Sequence, residues 1–275
     1  MAGFLTEMAK SALTRVTEAK ARVSEADLWA RAHDSAVPPQ LKLSEAGFDV
    51  IAELKLNSPV RGKLGAVTDD IEARVVQYAD GGAAAVSVLT EPTRFDGSME
   101  HLQRSARVLA PLGVPAMRKD FLFDPYQVVE ARVAGAGGVL VILRMIDRGR
   151  IVELLDCAAM LKLFVLLEGF DEVDLALGAE IIGERRTHAE TLLLGLNARN
   201  LDTLQVVPDR LKELVPKLTA GVPHVAESGV GTPDDVAELA RAGYQLALIG
   251  TALMSTGNPR ALLAEMLKAA RAAKQ

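Results

Sequence analysis

Residues 50–62 read VIAELKLNSPVRG. A continuous apolar run opens the segment, as in a strand covered on both faces. It then delivers Glu53 and Lys55 two residues apart and breaks into a proline- and glycine-bearing turn. Period-two geometry puts both of these side chains on one side of the strand. Outward along the chain the same grammar recurs: an aliphatic run, a polar or glycine-bearing end, then a helical pattern. The runs are DVIAELK (49–55), AAVSVLTE (84–91), VPAMRKD (114–120), GVLVILR (138–144), LFVLLEG (163–169), TLLLGLN (191–197), PHVAESG (223–229) and QLALIG (245–250). Their spacing suits βαβ units rather than hairpins. Between them stand helix starts such as Ser98 before MEHLQRSARVL, Thr232-Pro233-Asp234-Asp235 and Asn258-Pro259.

Eight such units predict an α/β protein, a (β/α)8 TIM barrel. The main alternative is an open doubly wound sheet, which usually shows a G-x-G-x-x-G after its first strand; none stands there. Residues 1–48 hold no strand pattern. Leu5, Met8, Ala12, Val16, Ala19 and Val23 recur at helical steps, so 1–48 is expected to be an N-terminal helical extension packed on the barrel. VPPQLKLSEAGF (37–48) is its loop-like connection, and 1–275 is read as one domain.

The chain has 275 residues and a net charge of −5, which argues against a nucleic-acid surface built on phosphate neutralisation. One cysteine, Cys157, leaves no internal disulfide and fits a reducing compartment. The first residues carry Glu7 and Lys10 where a signal peptide needs an unbroken apolar core, and no run is long enough to span a bilayer. The expectation is a cytoplasmic protein without membrane contact. His33, His101, His188 and His224 have no ligand spacing, so no metal site is expected. Arg185-Arg186 read as a solvated pair.

In a barrel the strand ends converge on one rim, where active sites lie. Here they offer Glu53, Lys55, Glu91, Lys119, Arg144, Glu168, Asn197, Arg199, Glu227, Ser228 and Gly250-Thr251. Clustered lysines and carboxylates can hold different protonation states, which acid–base chemistry requires. AESGVGTPDD and LIGTALM place small residues after strands seven and eight, where barrels often cradle a phosphate on backbone N–H groups.

The stretches IAELKLNSPVRG, LTEPTRFDGSMEHL, RKDFLFDPYQVVEARVAGAG, LLEGFDE, LGLNARNLDT and VAESGVGTPDDVAELARAGYQLALIGTALM resemble, in order, the indole-3-glycerol phosphate synthase family. The resemblance implies a carboxy-lyase of tryptophan biosynthesis. Such an enzyme converts 1-(2-carboxyphenylamino)-1-deoxyribulose 5-phosphate to indole-3-glycerol phosphate, losing carbon dioxide and water, with no cofactor. It further implies Lys119 as general acid, Glu168 as the carboxylate assisting it, and Lys55 with Glu53 as partners at the substrate carboxylate and in dehydration. Asn197 and Arg199 would position substrate, and Glu227 would stand near its hydroxyls. Ser58 would lie near the anionic substrate. Ser228, Gly229, Gly250 and Thr251 would form the phosphate cradle, and Phe95 and Phe121 the walls around the aromatic ring.

The chain departs from the family at Glu168-Gly169-Phe170, where E-V-H is common, at an insertion in GERRTHAETLL (183–193), and at Leu56-Asn57. These departures keep open a catalytically weak paralogue that binds a sugar phosphate or a protein partner. A phosphate-barrel isomerase is a third reading. A monomer is expected, with a homodimer or contact with other tryptophan-pathway enzymes as the alternatives.

Overall fold

The computed structural model describes residues 3–58, 62–63, 70–188 and 190–274. Eight parallel strands close on themselves: β1 (Asp49–Leu54), β2 (Ala85–Leu89), β3 (Ala116–Lys119), β4 (Gly138–Ile142), β5 (Phe164–Gly169), β6 (Leu192–Asn197), β7 (His224–Glu227) and β8 (Leu246–Ile249). Each pairs with its sequence neighbours, and β8 returns to β1 through Asp49↔Leu246 to Ala52↔Ile249. The expected (β/α)8 barrel is therefore what the chain forms. Every strand residue except the last of β3 is buried, because helices cover the outside and side chains fill the inside.

Alternation along each strand sorts those side chains into two apolar bodies. Ile51, Met117, Leu140, Leu166, Leu193, Val225 and Leu248 face inward and fill the barrel. Val50, Val86, Val139, Val165, Leu194 and Ala247 face outward against the helices. This period of two is what carries Glu53, Lys119, Glu168 and Glu227 inward, each two residues beyond an inward apolar neighbour, and Asn197 four beyond Leu193.

The extension forms two helices: α1 (Phe4–Arg22), over the residues whose periodicity predicted it, and α2 (Glu25–Asp34). The break has a local cause, since Ser24 turns extended and its hydroxyl caps α2 by accepting from the Asp27 N–H. Met8 and Ala12 of α1 join the apolar body at the barrel mouth with Phe121 and Phe170. Leu28 and Ala32 of α2 pack with the outer shell. Polar ties fix the seat: Arg15 makes two 2.8 Å contacts with the buried Asp120, and the Tyr126 hydroxyl donates to the Ala19 and Val23 carbonyls.

The insertion before β6 lies at the opposite rim from the strand C-termini. Arg185 does not stand in solvent as expected. It is buried against Glu190 at 2.5 Å and Asp156 at 2.8 Å, while Arg186 is exposed as expected.

Candidate active site

The C-terminal ends of the strands surround a cavity of about 620 Å³. Lys119, at the end of β3, stretches to the far side of the barrel. Its Nζ stands 3.1 Å from Glu168 Oε2 on β5 and 3.4 Å from Glu227 Oε2 on β7. The Asn197 amide donates to Glu168 Oε1 at 2.8 Å, and its carbonyl oxygen accepts the Arg199 N–H at 2.9 Å. One carboxylate is thus held between an ammonium and an amide, with its orientation fixed from both ends. Glu53 of β1 and Lys55, one residue past its end, come together and pair at 2.7 Å.

Burial and charge set the protonation of this group. Burial opposes the charge on Lys119, but Glu168, Glu227 and Glu53 outweigh it and raise the ammonium above the ordinary lysine range. Burial likewise opposes ionisation of Glu53, yet Lys55 and Lys119 pull its carboxyl below the ordinary value. Glu227 goes the other way. Burial and the neighbouring charge of Glu168 push it up to about 8 against the opposing pull of Lys119. Two carboxyl groups around one ammonium therefore carry opposite tendencies, a condition for dividing acid and base tasks.

The remaining wall is half apolar and half backbone. Phe95 and Phe121 stand with ring centroids 6.4 Å apart, and Phe4 of α1 meets Phe121 edge-on at 5.8 Å. Opposite them, Ser228, Gly229, Gly250 and Thr251 line the cavity. Ser228 is left-handed at φ +68, and the short helix Thr251–Ser255 begins there, its first N–H groups lacking intrahelical acceptors. The Gly231 and Thr232 N–H groups are already taken by Asp235 Oδ2.

Of the residues singled out in the sequence, Glu53, Lys55, Phe95, Lys119, Phe121, Glu168, Asn197, Arg199, Glu227, Ser228, Gly229, Gly250 and Thr251 all line this cavity. Ser58 lies in a two-residue hairpin strand after β1, and its side chain falls outside the described part of the structure. Two charged strand ends do not join. Arg144 turns away to Asp171 and Asp174 and covers the Phe170 ring at 5.0 Å. Glu91 is consumed in capping the short helix Pro92–Phe95, where it accepts from the Thr93 and Arg94 N–H groups.

The cavity also takes in Phe4, Asp120, Leu140, Ile142 and Val206, which the strand-end reading missed. Phe4 comes from the extension. Val206 comes from the loop after β6, which folds back through the Arg199↔Val206 bridge and the Arg199 contact to the Leu204 carbonyl. Among the described residues no group of three or more His, Cys, Asp or Glu side chains stands close enough to hold a metal ion.

The profile of the family described as indole-3-glycerol phosphate synthase matches residues 5–266. The enzyme of that name from Nocardioides sp. strain JS614 is 41% identical over 258 residues, 91% of this chain and 93% of its own. The chain belongs to the indole-3-glycerol phosphate synthase family. The synthase of Mycobacterium leprae is 37% identical over 253 residues, 92% of this chain and 88% of its own.

Solved barrels outside the family share the fold alone. The 3-hexulose-6-phosphate synthase of Salmonella typhimurium superposes with a TM-score of 0.59 at 14% identity, over 81% of this chain and 98% of that one. A phosphoribosyl anthranilate isomerase bound to reduced 1-(o-carboxyphenylamino)-1-deoxyribulose 5-phosphate gives 0.54 at 13%, over 82% and 99%. Of the positions read from the sequence as departures from the family, Leu56, Asn57, Gly169, Phe170 and the described residues of 183–193 do not line the cavity; Phe170 is buried under Arg144.

Proposed function

We propose that this chain is an indole-3-glycerol phosphate synthase, closing the indole ring of 1-(2-carboxyphenylamino)-1-deoxyribulose 5-phosphate. The observation that carries the reading is the Lys119 ammonium, held between Glu168 and Glu227 in a cavity with aromatic rings on one side and backbone N–H groups on another. The ring carbon bearing the carboxylate attacks the ketone carbon, and the Lys119 Nζ proton passes to the ketone oxygen. The surrounding carboxylates keep Lys119 protonated, so the proton is in place, and the alkoxide formed on C–C bond formation is basic enough to take it. Glu168, fixed by Asn197, holds the ammonium on line. Loss of carbon dioxide returns its bonding pair to the ring and restores aromaticity. Removal of a proton from the carbon next to nitrogen and departure of the new hydroxyl as water then complete the indole.

Glu53 and Lys55 are the acid–base pair for that dehydration, with Lys55 also meeting the substrate carboxylate. Glu227 faces the substrate hydroxyls. Arg199 positions the anionic substrate and Ser58 assists. Phe95 and Phe121 wall the aryl ring, and the phosphate sits on Ser228, Gly229, Gly250 and Thr251 at unobstructed N–H groups. The working form is read as a cytoplasmic monomer.

The test is turnover followed by indole fluorescence. Wild-type protein is expected to form product at a rate unchanged by chelator, and Lys119→Met to lose about 10²–10⁴-fold in kcat. Undiminished turnover by Lys119→Met would remove the assigned acid. Substrate binding without product in folded wild-type protein would favour the non-catalytic paralogue.

A further inference from the structure

We propose that Gly195, inside β6, is a positioning residue that seats the carboxyl group of Glu227. Lys119 and Glu227 rise from β3 and β7, well apart around the barrel, yet their charged ends stand 3.4 Å from each other. To reach that point the Glu227 side chain crosses the inner surface of β6, the strand beside its own. The inward positions of β6 are Leu193, Gly195 and Asn197, by the alternation that sends Leu192, Leu194 and Leu196 to the outer shell. At the crossing there is no side chain. A β-carbon on Gly195 would lie 2.2 Å from Glu227 Oε1 and 3.3 Å from its carboxyl carbon, well inside contact distance, so one of the two would have to move.

Glu227 lines the cavity, so the overlap is relieved by moving its carboxyl away from the place where it meets Lys119. Glu227 is 1% exposed, its Oε1 meets no hydrogen-bond partner among the described residues, and the added β-carbon would also lie 3.1 Å from Leu166 Cδ1. A methyl group at Gly195 therefore drives the carboxyl off Lys119. Gly250 bears the same relation to Glu53, with 2.2 Å from its missing β-carbon to Glu53 Oε1. Substitution there would also disturb the proposed phosphate cradle, so Gly195 isolates the effect. The raised pKa of Glu227 fits a carboxyl buried beside the charge of Glu168.

The consequence for turnover rests on the activity proposed above; the packing relation does not. The experiment is a cycle of Gly195→Ala, Glu227→Ala and the double variant. Gly195→Ala is expected to lower kcat/KM about 10²-fold, as for an active group misplaced by about 1 Å. It is also expected to move the pH-rate limb that belongs to Glu227 toward ordinary carboxylate values. The same substitution lowers Tm by roughly 5 °C in the wild-type background and leaves it unchanged in Glu227→Ala, where the methyl occupies the vacated space. Equal Tm losses in both backgrounds, or full kcat/KM in Gly195→Ala, would overturn the proposal. Should Gly195→Ala fail to fold alone, folding of the double variant supports the seat and its failure refutes it. Wild-type protein without turnover would sink the proposed activity, while the Tm cycle would still decide the seat.

Discussion

At the residue scale, the site is governed by a few buried charges whose protonation follows from position. Glu227 has the clearest consequence. Its carboxyl keeps its proton in the folded state up to about 8, against 4.5 for the free group. As pH rises through that window the unfolded chain ionises while the folded one does not, so this group's contribution to stability falls and then levels off. Tm of the wild type minus Tm of Glu227→Gln should therefore decline between about pH 5 and 8 and stay flat above it. A difference that rises with pH would reverse the assignment.

The sequence displayed these residues because inward polar groups at the ends of apolar strands obey a period of two. It did not display where a long side chain bends. Arg144 and Glu91 stand at strand ends like Lys119, but Asp171 and Asp174 at the start of the helix after β5 claim the first and helix N–H groups claim the second. Gly195 was also readable in principle, since a glycine inside a buried strand marks a close approach. What approaches it comes from another strand's side chain, which no local pattern reveals.

At the element scale, α1 is part of the site. It supplies Phe4 to the cavity and clamps the residue after Lys119 through Arg15 and Asp120. Asp120 also accepts from the Thr90 hydroxyl, Arg118 and the Phe121 N–H, and its carboxyl lies well below the usual carboxylate range because these partners outweigh burial. Arg15→Ala removes the bidentate arm but leaves the other donors, so the loss should be about 2 kcal/mol, below that of an abandoned buried charge. Urea unfolding measures it. A kcat reduction should accompany it, because Lys119 and Phe121 flank Asp120; unchanged kcat with lowered stability would make the clamp structural only. The helical periodicity of residues 5–23 revealed that α1 would pack, and the division at Ser24 is visible only through its cap.

At the scale of the whole molecule, the barrel separates stability from chemistry along its axis. The strand C-termini carry the cavity, and the opposite rim carries the insertion with its buried Arg185–Glu190 pair, which the exposed Asp156 joins from outside. Arg185→Ala leaves Glu190 buried without its partner and should cost about 3 kcal/mol, with kcat unchanged. Paired replacement by apolar residues of similar volume should be nearly neutral. Chemical denaturation and steady-state turnover on the same samples distinguish these outcomes. Fold and rim were legible because eight repeats of one pattern leave few topologies. The buried arginine was not, because Asp156, one of its partners, lies on the preceding helix (Arg148–Met160), outside the motif that contains it.

The decisive measurement is a crystal structure of the complex with the reduced substrate, 1-(o-carboxyphenylamino)-1-deoxyribulitol 5-phosphate. It should show the aryl ring packed against Phe95 and Phe121, the phosphate on the amides at Ser228–Gly229 and Gly250–Thr251, and Lys119 Nζ hydrogen-bonded to the oxygen on the former ketone carbon. A ligand lying with its phosphate at Lys119, or with that oxygen turned away from the ammonium, would contradict the account.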